Sequence, residues 1–222
     1  HPKTRNYLNE WLFHRVLSKE NIISLRYKFV NIVLNGEDLG LYALEEHFEK
    51  RLIENNQRKE GVIIRFNEDL MWKEITKLNH IFPNAKTSGY GEYSSSNIDA
   101  FQTNKILSDS VLFNYYLKAI SLLESFRNGE LSTKDVFDIE KLSSYFAITD
   151  ILGAQHGARW HNMRFYFNPI TSKLEPIGFD GDTGNEITSL FSSIDNYLGR
   201  SDYVPFGAFH CMIIKDKDFY YH

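Results

Sequence analysis

Cysteine is almost absent from this chain of 222 residues, since Cys211 is the only one. A single cysteine excludes an internal disulfide and any zinc site built from several cysteines. Apolar runs are short, and none approaches the roughly 20 residues that a membrane-spanning helix needs. The formal net charge of −4 provides no general attraction to nucleic acid or acidic membranes. We therefore expect a globular protein with neither a nucleic-acid partner nor a membrane span.

The hydrophobic pattern predicts an α+β fold. Its N-terminal part has a helical period over residues 4–19, with Thr4 as the N-cap, and then an alternating strand over 26–34. Asn35-Gly36 is a hairpin turn into a second strand. A helix from Glu45 to about Asn55 and a short buried strand at 62–66 follow. This order predicts a small, sheet-containing unit.

The second half of the chain begins with a polar segment. Residues 84–97 are rich in Gly and Ser and predict a flexible loop or linker. Residues 97–127 and 135–154 have apolar positions at helical spacing and predict two helices, with a break at Asn128-Gly129. The C-terminal part is therefore predicted to be mainly helical.

The most informative segment runs from His156 to Asp182. It contains a polar loop ending in Asn162, an aromatic strand, a turn at Asn168-Pro169, a second strand, and then Asp180 and Asp182. A hairpin of this length places its two ends side by side, so we expect Asn162 and Asp180 to be close. Amide and carboxylate oxygens are ligands that Mg²⁺ prefers, and kinase-like folds hold Mg²⁺ against ATP phosphates in this way. The alternative is a surface hairpin with polar turns.

Two sequence blocks carry a family resemblance. NGEDLGLYALEEHFEK at 35–50 and NMRFYFNPITSKLEPIGFDGD at 162–182 resemble CotH-type kinases, as do HPKTRNYLNEWLF and RYKFVNIVLNG nearer the N-terminus. The resemblance extends from residue 1 to about Asp182. It implies a two-lobed protein-kinase-like fold, with an N-lobe at 1–83, a linker at 84–97 and a C-lobe at 98–222.

The same resemblance implies a function and a location. It implies a phosphotransferase that uses ATP and Mg²⁺ and acts on Ser or Thr of a protein substrate. It also implies a bacterial extracytoplasmic, secreted or spore-surface protein. The chain begins without an initiator Met, so we expect a piece of a longer protein, in which a nucleotide-binding Lys precedes the residues given.

The resemblance assigns roles to particular residues. Asn162 and Asp180 are implied as metal ligands, and Asp182 as a further ligand or a group behind the metal shell. Glu46 takes the position of a helix Glu that pairs with a phosphate-binding Lys, although Glu45 could exchange roles with it. Arg65, in the strand VIIRF, stands where the family often has Lys. Arginine can clamp a phosphate with two hydrogen bonds but is not equivalent to Lys.

The catalytic base departs from the kinase pattern. Kinases place an Asp five residues before the metal-binding Asn, but that position holds Gly157, which cannot accept a proton. The adjacent His156 is the nearest candidate base. His156 and His161 beside Asp180 also fit a transition-metal site. Two other functions therefore remain open: a pseudokinase that acts as a binding or surface module, and another nucleotide-dependent transfer such as adenylylation or glutamylation.

Overall fold

A four-stranded antiparallel sheet forms the centre of the protein in this computed structural model, which describes residues 8–82, 90–187, 190 and 208–222. The strands follow the order β4-β3-β5-β6. Their bounds are β3 Ile63–Phe66, β4 Ile98–Ala100, β5 Arg164–Asn168 and β6 Lys173–Ile177. The inner strands β3 and β5 are almost wholly buried because they pack against helices. The predicted α+β class is confirmed, and the division into two lobes stays a prediction.

A separate hairpin precedes this sheet. It consists of β1 (Tyr27–Leu34) and β2 (Glu37–Glu45), joined through Asn35 and Gly36, which both have positive φ. The predicted turn is therefore observed. Glu45 ends β2, so the helix predicted from this residue starts later, as α2 (Lys50–Asn55).

Ten helices surround the strands in the described residues. Their bounds are α1 Asn9–Lys19, α2 Lys50–Asn55, α3 Asp69–Ile81, α4 Tyr90–Ser95, α5 Thr103–Ser108, α6 Ser110–Arg127, α7 Thr133–Val136, α8 Ile139–Ile151, α9 Ala208–Lys215 and α10 Lys217–Tyr220. No helix among the described residues is long and apolar enough to cross a membrane. Thr4, the predicted cap of α1, lies outside the described residues, as do residues 84–89 of the predicted linker. The prediction of a loop is wrong for the next part of that segment, because Tyr90–Ser95 form helix α4.

The prediction of one helix over 97–127 is wrong in its first part. Residues 98–100 form an edge strand, because Ile98 and Ala100 pair with β3. Gln102 adopts a left-handed conformation that separates this strand from α5. Asp109 then caps α6 by accepting hydrogen bonds from the backbone N–H groups of Val111 and Leu112.

The aromatic content is concentrated in the core. Phe66, Phe137, Phe165 and Phe209 are all fully buried, and Phe209 contacts the other three rings. These ring centroids are 5.6–6.2 Å apart in tilted or edge-on geometry, which packs favourably. The core thus fixes β5, and with it the loop that leads into the candidate site.

Candidate active site

The β5–β6 hairpin brings the two predicted metal-binding segments together. Arg164 and Ile177 are the paired residues at its open end. The loop containing Asn162 enters the hairpin beside the segment containing Asp180, which leaves it. The proximity expected from sequence is therefore present in the structure.

His156 lies between these two residues. Its Nδ1 is 3.0 Å from the backbone oxygen of Asp180, 3.6 Å from Asp180 Oδ1 and 3.1 Å from the amide nitrogen of Asn162. Asn162 is buried, whereas the Asp180 side chain is 20% exposed and His156 is 36% exposed. The amide, the carboxylate and the imidazole thus form one partly open cluster.

The hydrogen bonds indicate the roles of the polar atoms in this cluster. The amide N–H of Asn162 donates to the His156 backbone oxygen at 3.1 Å. This orientation leaves the amide oxygen of Asn162 as an acceptor, the kind of atom that can serve as a cation ligand. His156 Nδ1–H can donate to the Asp180 backbone oxygen, and in this tautomer the lone pair is on Nε2, which lies 3.4 Å from the Asn162 amide nitrogen.

Glu10 holds the Asp-Gly-Asp segment in place, which sequence patterns did not reveal. Its fully buried carboxylate accepts hydrogen bonds from the backbone N–H groups of Gly181, at 3.0 Å, and Asp182, at 3.1 Å. Asp180 and Asp182 both have positive φ, near 48° and 47°. The only available sequence signal was a glutamate at the first position of the buried face of α1, which continues with Phe13, His14 and Leu17.

His14 connects Glu10 to the end of β2. Its Nε2 lies 3.6 Å from Glu10 Oε1 and 3.8 Å from Glu45 Oε1. By spacing alone these three residues could hold a metal ion. However, His14 Nδ1 accepts a hydrogen bond from the Leu25 backbone N–H, so the neutral ring carries its proton on Nε2. A protonated Nε2 has no lone pair to offer a metal, and it lies beyond hydrogen-bond distance of both carboxylates.

Glu46 is engaged by a partner other than Arg65. Its carboxylate pairs with Arg26 Nη2 at 2.7 Å and accepts from Asn55 at 2.7 Å. It also follows β2 and precedes α2, so it is not a helical residue as the resemblance implied. The helical carboxylate that reaches the candidate site is Glu10.

Arg65 lies on β3, where its guanidinium stacks on the ring of Phe101 at 5.4 Å. Its cross-strand partner is Arg164, a second residue that sequence patterns did not single out. Arg164 is 3% exposed, and burial together with Arg65 lowers its pKa to about 10. Arg164 therefore remains charged at neutral pH.

The structure explains the glycine in place of the expected catalytic Asp. A Cβ atom at Gly157 would lie 2.7 Å from the Phe179 backbone oxygen and 3.2 Å from the Tyr145 hydroxyl oxygen. Tyr145 also donates its hydroxyl hydrogen to the Gly157 backbone oxygen. The position is closed to any side chain, so an Asp could not occupy it without moving the segment that leads to Asp180.

His161 is a buried neighbour of the cluster. Burial, aided by the positive charge of Arg159, lowers its pKa to about 4. Its ring lies 6.5 Å from the His156 ring and 6.3 Å from Trp72, measured between centroids. His161 is therefore neutral at physiological pH, and its packing between aromatic rings supports a structural role.

One comparison with known proteins identifies the family. The family model described as CotH kinase protein matches residues 3–218, nearly the whole chain. The chain belongs to the CotH kinase family. No curated protein matches it. Family membership suggests a kinase-like, nucleotide-dependent function with a protein substrate, and the resemblance seen in the two sequence blocks is confirmed.

Proposed function

We propose that this CotH family protein transfers a phosphoryl group from Mg²⁺-bound ATP to a Ser or Thr hydroxyl of a protein. The observation that supports this most strongly is the convergence of Asn162 and Asp180 on His156. These residues come from opposite ends of one hairpin, as an amide–carboxylate magnesium site requires.

The donor set fits magnesium. The Asn162 amide oxygen and the carboxylates of Asp180 and Asp182 are hard oxygen ligands, and no sulfur group takes part. Bound Mg²⁺ would neutralise phosphate charge during transfer. In this proposal Asn162 and Asp180 hold the ion, Asp182 supports it, and Glu10 fixes the backbone that carries both aspartates.

His156 is the proposed base. Because its Nδ1–H can donate to the Asp180 backbone oxygen, its Nε2 can accept the proton of the attacking hydroxyl. The hydroxyl oxygen forms a bond to the γ-phosphorus, the bond from that phosphorus to the ADP oxygen breaks, and ADP leaves. An imidazole is able to perform this task near neutral pH.

The pseudokinase alternative is favoured by one specific observation. The position of the usual catalytic Asp is closed by the Phe179 backbone oxygen and Tyr145. A protein that binds the nucleotide without transferring its phosphoryl group would retain the metal ligands and need no catalytic base. Adenylylation and glutamylation remain as other chemistries for the same site.

The functional test is intact-mass spectrometry of a protein acceptor after incubation with ATP and Mg²⁺. We expect a mass increase of one phosphoryl group and, for His156→Ala, a rate roughly ten- to ten-thousandfold lower with ATP affinity retained. His80→Ala, which changes an exposed histidine on α3, is the matched control. Addition of an adenylyl group would support the alternative transferase, and ATP binding without modification of any acceptor would support the pseudokinase.

A further inference from the structure

Two arginines lie side by side beneath the candidate site. Arg65 on β3 and Arg164 on β5 are directly opposed in the antiparallel register, so their side chains project from the same face of the sheet. Both guanidinium groups contact the ring of Phe101, at 5.4 and 5.9 Å from its centroid. The arrangement places two positive charges together around one aromatic ring.

These charges have no carboxylate partner at ion-pair distance among the described residues. Asp99 is opposite Arg65 in the register, but its carboxylate accepts from Asn67 at 2.6 Å. Glu68 influences Arg164 only at longer range and accepts from the Trp72 indole at 2.9 Å. Other arginines of the described chain do form such ion pairs, among them Arg26, Arg58 and Arg127.

The burial of Arg164 makes this arrangement costly. Its side chain is 97% buried, and its Nε atom has no hydrogen-bond acceptor among the described residues. A buried charge without an ion-pair partner is destabilising in ordinary protein interiors, and the backbone oxygens of His161 and Met163 accept hydrogen bonds from Nη1 only. Stacking on aromatic faces offsets only part of this cost. Such a costly arrangement is typical of ligand-binding sites.

Arg164 also contacts both segments of the candidate site. Its Nη1 donates to the backbone oxygen of His161, which immediately precedes Asn162, at 2.7 Å. Its guanidinium lies 4.9 Å from the ring centroid of Phe179, which immediately precedes Asp180. The arginine pair is thus attached to the residues next to each proposed metal ligand.

We propose that Arg65 and Arg164 form an oxyanion site that receives phosphoryl oxygens of the nucleotide beside Asp180. Arg65 is half-buried and contacts the ligand directly, while Arg164 supplies the second charge from behind it. Guanidinium groups suit this task because their planar array of donors matches phosphate oxygens. This inference rests on the proposed function for the identity of the ligand, but the anion site itself can be tested without magnesium or catalysis.

The test is calorimetric titration with inorganic tripolyphosphate in EDTA at low ionic strength. We expect the wild type to bind, and Arg65→Gln and Arg164→Gln each to bind about ten- to hundredfold more weakly, as expected for loss of a charge-assisted hydrogen bond. Arg51→Gln, which removes an exposed positive charge on α2, should bind as tightly as the wild type. Equal affinities in wild type and both arginine variants, or no binding by wild type, would overturn the proposal.

Further variants separate this proposal from the proposed function. Asp180→Asn should retain metal-free tripolyphosphate binding while losing magnesium-dependent ATP binding. If the magnesium site is wrong, Mg²⁺ will not strengthen ATP binding in the wild type, yet tripolyphosphate binding will still depend on the two arginines.

Displacement of tripolyphosphate by ATP supports a nucleotide ligand, and failure of ATP to displace it contradicts that ligand. If Arg164→Gln does not fold, Arg164→Lys and the half-buried Arg65→Gln still provide the measurement.

Discussion

Asp182 donates its backbone N–H to the carboxylate of Glu10 at 3.1 Å, although 172 positions separate the two residues in the chain. The other carboxylate oxygen accepts from Gly181 at 3.0 Å. Because Glu10 is fully buried, water cannot replace either bond. Helix α1 therefore fixes the backbone between the two aspartates of the candidate metal site.

We expect Glu10→Gln to lower both stability and magnesium affinity. The amide retains one acceptor oxygen but presents an N–H₂ group to a backbone N–H, so one bond to a charged acceptor is lost. Such a bond contributes about 1.5–3 kcal/mol, which urea denaturation can measure. Glu20→Gln, an exposed change just after the same helix, should alter neither property. Unchanged magnesium-dependent ATP binding in folded Glu10→Gln would show that Glu10 does not position the site.

Asp180→Asn should abolish magnesium-dependent nucleotide binding, whereas Asp182→Asn should only weaken it. A carboxylate that touches the ion neutralises its charge, whereas a group behind it mainly orients the ligands. Asparagine is the appropriate substitute because both positions have positive φ, which Asn tolerates well. Nucleotide titrations with and without Mg²⁺ measure the affinity of each variant. If Asp180→Asn binds the nucleotide as tightly as the wild type in the presence of Mg²⁺, the assignment of Asp180 as a metal ligand is refuted.

Gly157→Ala should destabilise the protein by about 1–3 kcal/mol, the usual cost of forcing atoms into a packed site. The new Cβ would lie 2.7 Å from the Phe179 backbone oxygen, so the segment carrying Asp180 must move and nucleotide binding should weaken too. Gly157→Asp should fail to create a catalytic base for the same reason. Gly129→Ala, a position with positive φ and open space, is the control: it should lose some stability but keep nucleotide affinity.

The free energy of unfolding should fall as the pH drops below about 6.5, because His161 binds a proton more readily in the unfolded chain than in the folded protein. Its folded-state pKa is lowered to about 4, so between pH 4 and 6.5 the unfolded chain binds more protons than the folded protein. Unfolding free energy therefore rises with pH across this window, by on the order of 1–3 kcal/mol from this residue. Denaturation midpoints at several pH values should show a weaker pH dependence in His161→Gln. Equal slopes for both proteins would contradict the burial of a neutral His161.

Part of the site follows from local sequence. The Asn35-Gly36 turn and the strands flanking Asn168-Pro169 are encoded within a few residues, so both hairpins were predicted from pattern. The second hairpin necessarily brings Asn162 near Asp180. Its amide and carboxylate groups also indicate the kind of ion that would fit, although the metal role itself stays a prediction.

Local patterns were insufficient where pairing partners are distant. Residues 98–100 have a pattern compatible with helix, but hydrogen bonding to β3 makes them a strand. Helix α3 was not predicted, although Met71, Ile75 and Leu78 have helical spacing in its sequence. Edge strands depend on neighbours that a local window does not contain.

The sequence by itself determined the two hairpins and the oxygen-bearing side chains at the open end of the second one, since each depends on residues close together in the chain. It also determined the family, through a match over residues 3–218. Only the tertiary structure decided that Glu10 supports the Asp-Gly-Asp segment, that Glu46 pairs with Arg26, and that Arg164 lies beside Arg65. Each of these relationships depends on burial and on contact between separate elements. The energy of a buried charge is set by the groups folded around it, and these are not its neighbours in sequence.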